Sequence, residues 1–192
     1  MKYTKIPETT FQQLQLNAGV LLKTFDPETA VVGKADIVGA TTGGLSFTAT
    51  PTFSDFAADI DNAPNNMKEF KQLDAWEITM SGTFVTIDTA SAKSLIGSAD
   101  VSGNVVTPRN DLLDEDFTDL WWVGDYSNEN GEENGGFVAI HMKNVLSTGG
   151  LSIKSNDNGK GNFAFTYMAH YSVTDPDEVP FKVYIQQGGE TP

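Results

Sequence analysis

The chain has 192 residues, 26 acids against 12 bases, a formal net charge of −14 and no cysteine. That length suffices for one domain with a real core, and the missing thiols exclude disulfides, thiolate catalysis and cysteine-ligated zinc. Arg109 is the sole arginine, and arginine dominates phosphate and base-edge recognition, so the composition argues against grasping nucleic acid. The opening MKYTKIPETTFQQLQLNAG has no apolar run of signal-peptide length, and no segment approaches a membrane span. A soluble product made in the cytosol is expected.

Period-two alternation then recurs along the chain, the mark of half-buried strands. LSFTATPTF places Leu45, Phe47, Ala49, Pro51 and Phe53 on one face and Ser46, Thr48, Thr50 and Thr52 on the other. The following segment 54–74, rich in Asp and Asn, reads as a long loop, and loops of that length are functional or disordered. WEITMSGTF sets Trp76, Ile78, Met80 and Phe84 against Glu77, Thr79, Ser81 and Thr83. Beyond Gly82 the faces of Val85 and Ile87 switch, which predicts a bulge there. In DTASAKSLIGSAD, Asp88 or Thr89 caps a helix whose apolar stripe is Ala92, Leu95, Ile96 and Ala99. Two weaker helix candidates are NMKEFKQL, with capping-box spacing from Asn66 to Glu69, and NDLLDEDF after Asn110. FVAIHMKNVL aligns Val138, Ile140, Met142 and Leu146, FAFTYMAHY aligns Phe163, Phe165, Tyr167 and Tyr171, and FKVYI aligns Phe181, Val183 and Ile185. Gly, Asn and Asp separate these runs as antiparallel hairpins require. TGGLS occurs at residues 42–46 and again at 148–152, a turn chemistry used twice. The expectation is a mainly β, antiparallel chain of one domain over residues 1–192, with one α-helix and a mobile segment at residues 1–10.

Few residues carry chemistry. DYSNENGEENGG, residues 125–136, looks like a cation loop, but with Gly131 at the sixth position Tyr126 and Phe137 fall where carboxylates belong. SNDNGKG fails likewise at Lys154 and Phe165. Both read as hairpin tips. His141 and His170 lie inside strand runs with no G-x-S-x-G elbow, so they read as strand residues rather than as bases of a Ser-His-Asp triad. Asp59–Asp61 and Asp114–Asp116 pair carboxylates two residues apart, a spacing open to a divalent metal or acid–base chemistry yet common in acidic proteins. Trp121 and Trp122 raise a sugar platform, though adjacent strand residues face opposite ways and only one of them could serve.

Taken together, TTFQQLQLNAGVLL, GATTGGLSFTATPTFSDFAADIDNAPNN, WEITMSGTFVTID, DLWWVGDYS, GGFVAIHMKNVLSTGGLSI and HYSVTDPDEVPFKVYI resemble the tail tube (major tail) proteins of long-tailed bacteriophages. The likeness is one of texture over nearly the whole chain. It implies a β-sandwich or barrel-like fold with a flanking α-helix, hexameric rings, and stacking of rings into a tube through which DNA is delivered. The implied partners are further copies of the chain, other phage tail proteins, and double-stranded DNA passing without specific binding. No enzyme activity, cofactor, metal or membrane partner is implied. The implied location is the virion, after assembly in the host cytoplasm. On this reading Glu77, Thr79, Ser81 and Thr83 face the lumen, and Asp55, Asp59, Asp61, Asn65 and Asn66 form an inter-ring loop. About four strands per copy would line a bore of roughly 35–40 Å, wide enough for a duplex about 20 Å across. A bore lined by carboxylates and hydroxyls would keep phosphate from sticking. The competing readings are a carbohydrate-binding or adhesion β-sandwich module and a hydrolase built on the acid pairs.

Overall fold

The computed structural model describes residues 7, 10–127 and 133–188, and every structural statement concerns those. The two alternating runs before the helix form one long hairpin. Strands β1 (Leu14–Gln15) and β2 (Val20–Leu22) precede it, and it consists of β3 (Thr41–Asp55) and β4 (Lys71–Phe84). Ile78, Met80 and Phe84 are fully buried while Ser46, Thr48 and Thr50 on the facing strand stand on the opposite face, as period two demands. Pairing runs without a break in strand direction from Thr41↔Phe84 to Asp55↔Lys71, so the loop expected over 54–74 shrinks to residues 56–70. There it forms two 3₁₀ turns, Phe56–Asp59 and Lys68–Phe70. The start of β4 carries no alternation to read because it runs past the core, leaving Leu73 46% exposed; Phe53, which alternation places on the core face, is 52% exposed for the same reason.

The bulge expected at Gly82 lies on the other strand. Thr41 faces Phe84 and Leu45 faces Gly82, so Thr42, Gly43 and Gly44 oppose Thr83 alone. Gly43 and Gly44 supply the positive φ that this irregularity needs, at 77° and 82°. Gly82 serves close approach instead, since a Cβ there would stand 2.5 Å from Leu45 Cδ2 and 2.8 Å from Phe165 Cζ.

After the hairpin come α1 (Thr89–Ile96), β5 (Ala99–Ser102), β6 (Val105–Pro108), β7 (Thr118–Ser127), β8 (Glu133–Ser147), β9 (Ser152–Lys154), β10 (Asn162–Ala169) and β11 (Phe181–Gln186). Asp88 caps α1 by accepting from Ser91 N at 2.7 Å, and Ser91 Oγ in turn accepts from Asp88 N at 2.8 Å. Gly97, with φ 87°, ends the helix. Ala99 is buried as expected but belongs to β5 rather than to the helical stripe. The two weaker helix candidates are 3₁₀ turns only: residues 68–70 run straight into β4, and Asp114–Asp116 closes a single turn.

The fold is mainly antiparallel β with a single α-helix. Nine strands join in one sheet of order β1-β7-β8-β10-β4-β3, with β2 beside β7, β11 beside β8 and β9 beside β10; β5 and β6 form a separate hairpin. The junction is β8. One of its edges takes β7, while the other takes β11 along residues 137–142 and then β10 along 145–147. The sheet thereby divides into two arms, and Phe181 of β11 reaches across to Phe47 and Trp76 of the hairpin at ring distances of 5.7 and 5.8 Å. Between the arms lies the main core, built on Leu21, Ile78, Met80, Phe84, Met142 and Phe165 with Leu95 of α1. The far face of β7 and β8 buries a second cluster, Leu22, Phe25, Trp121, Val123, Phe137 and Ala139. Burial on both faces is why LWWV and FVAI read as continuous apolar runs.

Besides Phe53, several face assignments differ from expectation: Tyr171 lies beyond the end of β10 and is 36% exposed, and β8 and β11 each depart as well. In β8, two residues (Lys143, Asn144) oppose the single Asp119 of β7, and Asn144 has φ 49°. This bulge turns Val145 into the core and leaves Leu146 half-buried. In β11, Phe181 is packed as expected, but Val183 and Ile185 are 48% and 65% exposed because the hairpin arm covers only the Phe181 end. Tyr184 points the other way, onto Trp121. Of the N-terminal segment 1–10 only Pro7 and Thr10 are described, and residues 128–132 of the DYSNENGEENGG stretch likewise lie outside the described residues.

Candidate functional site

The surface of β3, β4 and β10 turned away from the core is a ladder of hydroxyls. Residues directly opposite in an antiparallel sheet share a face. Ser46 stands opposite Ser81, Thr48 opposite Thr79 and Thr50 opposite Glu77. From β10, Thr166 lies beside Ser81, Met168 beside Thr79 and Ala164 beside Thr83. All four expected lumen residues, Glu77, Thr79, Ser81 and Thr83, therefore stand on one face, with Glu77 exposed and the other three half-buried. β-Branched threonine suits this pleated surface, and alternate hydroxyls leave it polar without charge apart from Glu77. Strand β3 pairs only with β4 among the described residues, so its outer edge offers main-chain donors and acceptors to a further strand.

Of the expected inter-ring residues, the structure joins two. Asp55 accepts from Ala57 N at 3.0 Å and from Asn66 N at 2.8 Å, and Lys71 Nζ donates to Asn66 Oδ1 at 3.2 Å. These bonds, that of Ala57 foremost, hold the Asp55 carboxyl below its ordinary pKa. Asp59, Asp61 and Asn65 are exposed on the same loop. Among the described residues no group of three or more His, Cys, Asp or Glu could hold a metal ion. Sequence reasoning missed the apolar side chains Phe56 and Ile60 around them and placed Phe53 on a core face, yet all three are exposed; the signal was their presence in TFSDFAADI.

The other candidates have partners close by. Asp116 is buried and takes a bidentate bond from Arg109 Nη2 at 2.7 and 2.9 Å, while Asp100 lies 3.0 Å from Arg109 Nε. The lone arginine thus ties the β5–β6 hairpin to the 3₁₀ turn before β7, a role that its sequence position did not disclose. His141 Nε2 lies 2.9 Å from Asp119 Oδ2 and its ring stacks on Trp121 at 4.0 Å. His170 Nδ1 lies 3.1 Å from Asn144 O. Among the described residues no serine hydrogen-bonds to either ring. Trp121 is buried, and Trp122 is half-buried against the main core, its Nε1 donating to Ala18 O at 3.0 Å. A cavity of about 540 Å³ opens between α1 and the start of β7, lined by Lys23, Ser94, Asp119, Leu120 and Tyr167 among others. At its base Tyr167 OH and Ser94 Oγ are 2.9 Å apart, and burial pushes the Tyr167 phenol pKa up.

No protein-family model matches the chain, and no curated protein matches it. Among solved structures the chain is similar to a component of the "Virion of native gene transfer agent (GTA) particle". That likeness has 8% sequence identity and a TM-score of 0.42, and it covers 81% of this chain and 92% of the other. At this identity and TM-score it is a loose likeness.

Proposed function

We propose that this chain is a structural protein of a phage-like virion and, more finely, the subunit of a tail tube. On this reading six copies close a ring and rings stack around a channel that DNA traverses. The observation that carries it is the two-sided β3–β4–β10 surface. One side supplies core, and the other presents Ser46, Thr48, Thr50, Glu77, Thr79, Ser81 and Thr83 beside the open β3 edge. A face of hydroxyls with one carboxylate and no base offers a passing phosphate backbone nothing to grip, since sequence-independent DNA affinity comes from Lys and Arg. An open strand edge is a liability in a lone molecule and an assembly device in a ring. The role is structural rather than catalytic, and assembly takes place in the host before the protein resides in the virion.

Negative-stain electron microscopy of concentrated protein, with and without tail-assembly partners, tests the reading. Rings or tubes with a central hole are expected. Dispersed monomers under every condition would refute it.

A further inference from the structure

Two patches at opposite ends of the β3–β4–β10 surface complement each other. The first is the outer end of the β3–β4 hairpin, where Phe53, Phe56, Ile60 and Leu73 are 52, 54, 46 and 46% exposed. Around them stand Asp55, Asp59, Asp61, Glu69 and Asp74 against only Lys68 and Lys71. Both lysines are engaged locally, Lys68 with Glu69 and Lys71 with Asn66 and the Phe53 ring. This end is apolar with surplus negative charge.

The second patch is the β9–β10 hairpin. Residues 151–160 are all exposed, including Leu151 at 40% and Ile153 at 59%. Lys154 and Lys160 flank the single acid Asp157, against the acidic trend of the chain. Register sets the separation of the two patches. Asp55 faces Lys71 at one end of β4, and Phe163 faces Phe84 at the other; the 14 residues of β4 span about 45 Å.

Patches that far apart on a rigid ladder cannot meet within one molecule. Between copies they make a head-to-tail contact, which propagates rather than closes. We infer that the acidic apolar end of the β3–β4 hairpin in one copy docks on the lysine-bearing β9–β10 hairpin of the next. Phe56 and Ile60 lie against Leu151 and Ile153, with Lys154 and Lys160 facing Asp59 and Asp61. The inference rests on the tail-tube reading and names the partner surface for its axial contact. Apolar burial supplies attraction, while the charges set direction, because two acidic ends repel and an acidic and a basic end do not.

The absence of native cysteine makes the test clean. Ile60→Cys and Ile153→Cys copies are mixed at assembling concentration under mild oxidation, with Phe56→Cys and Leu151→Cys as a second pair. The mixed disulfide is expected to exceed either like-with-like disulfide by about fivefold or more, because the contact is between unlike ends. It should fall several-fold at 1 M salt, where the screening length is about 3 Å. Like-with-like disulfides alone, or equal yields of all pairs, would overturn the docking. Microscopy of the same samples separates the two levels. Rings or tubes without the mixed disulfide overturn the docking and leave the tail-tube reading standing; dispersed molecules without it overturn both. A K154E/K160E variant of the pair should lose the mixed disulfide and regain it when the partner copy carries D59K/D61K. If instead that variant cross-links normally but no longer retains duplex DNA, the lysines contact phosphate and the inference fails.

Discussion

Phe84 shows how one residue closes the core between the arms. It is fully buried and stacks on Phe165 with ring centroids 4.3 Å apart. Replacing it with alanine removes the ring and leaves a cavity between packed strands, so Phe84→Ala is expected to cost about 3–5 kcal/mol. Urea unfolding should show the loss as a lower midpoint at an unchanged slope. Asp88 acts through charge. The bond from Ser91 N, followed by that from the Ser91 hydroxyl, lowers its pKa below the ordinary 3.8. A folded-state value below the unfolded one means that the cap's contribution is fully present above about pH 4 and is lost as pH falls through the lowered value. Thermal melts between pH 6 and pH 2.5 should therefore show a shallower decline for Asp88→Asn, which can still cap but does not titrate, than for the parent. Equal declines would assign the acid sensitivity to other carboxylates.

At the scale of elements, the β3–β4 hairpin is organised from its base and its tip. The base is core alternation; the tip is Asp55, which accepts two main-chain bonds across residues 57 and 66. Asp55→Ala removes both acceptors, so amide exchange at Ala57 and Asn66 is expected to accelerate at least tenfold while β7 and β8 stay protected. Hydrogen-exchange mass spectrometry with overlapping peptides would read this directly; unchanged protection over residues 56–70 would mean that packing holds the loop. Strand β8 is organised differently. Its bulge at Asn144, whose side-chain amide donates to His170 O at 3.2 Å, marks where its edge passes from β11 to β10. That single irregularity lets one strand serve both arms.

For the whole molecule, the hydroxyl face and its sparse charge carry the consequence. Glu77→Lys and Thr79→Lys place cations on the face of β4 turned away from the core. Folding should be retained: exposed Glu77 is a surface site, where substitutions shift stability by about 0.5 kcal/mol or less, and half-buried Thr79 costs more without reaching the core. On the tail-tube reading, tubes should still form and DNA passage should slow, because each lysine adds a phosphate contact that weakens with salt. Ejection rates at low and high salt, measured beside tube formation by microscopy, check this. Variants that assemble and pass DNA normally at low salt would remove this face from the channel.

Local physics makes much of this fold legible in the sequence by itself. The alternation of Ile78, Met80 and Phe84 against Glu77, Thr79, Ser81 and Thr83 settles which face of β4 is core, and Asp88 with Gly97 brackets the helix, because pleat and capping act within a few residues. Elsewhere the decision is tertiary. Which strand covers a face depends on partners far along the chain, so Val183 and Ile185 stay exposed where alternation predicts burial. The start of β4 beyond the core leaves no burial pattern to read. The Asn144 bulge moves Val145 inward in place of Leu146. Arg109, isolated in the sequence, gains its role only when the turn holding Asp116 folds against it. Short-range sterics and hydrogen bonds are written in neighbouring residues, whereas the sharing of β8 by two arms is set by long-range pairing, whose cost and reward arise only when distant segments meet.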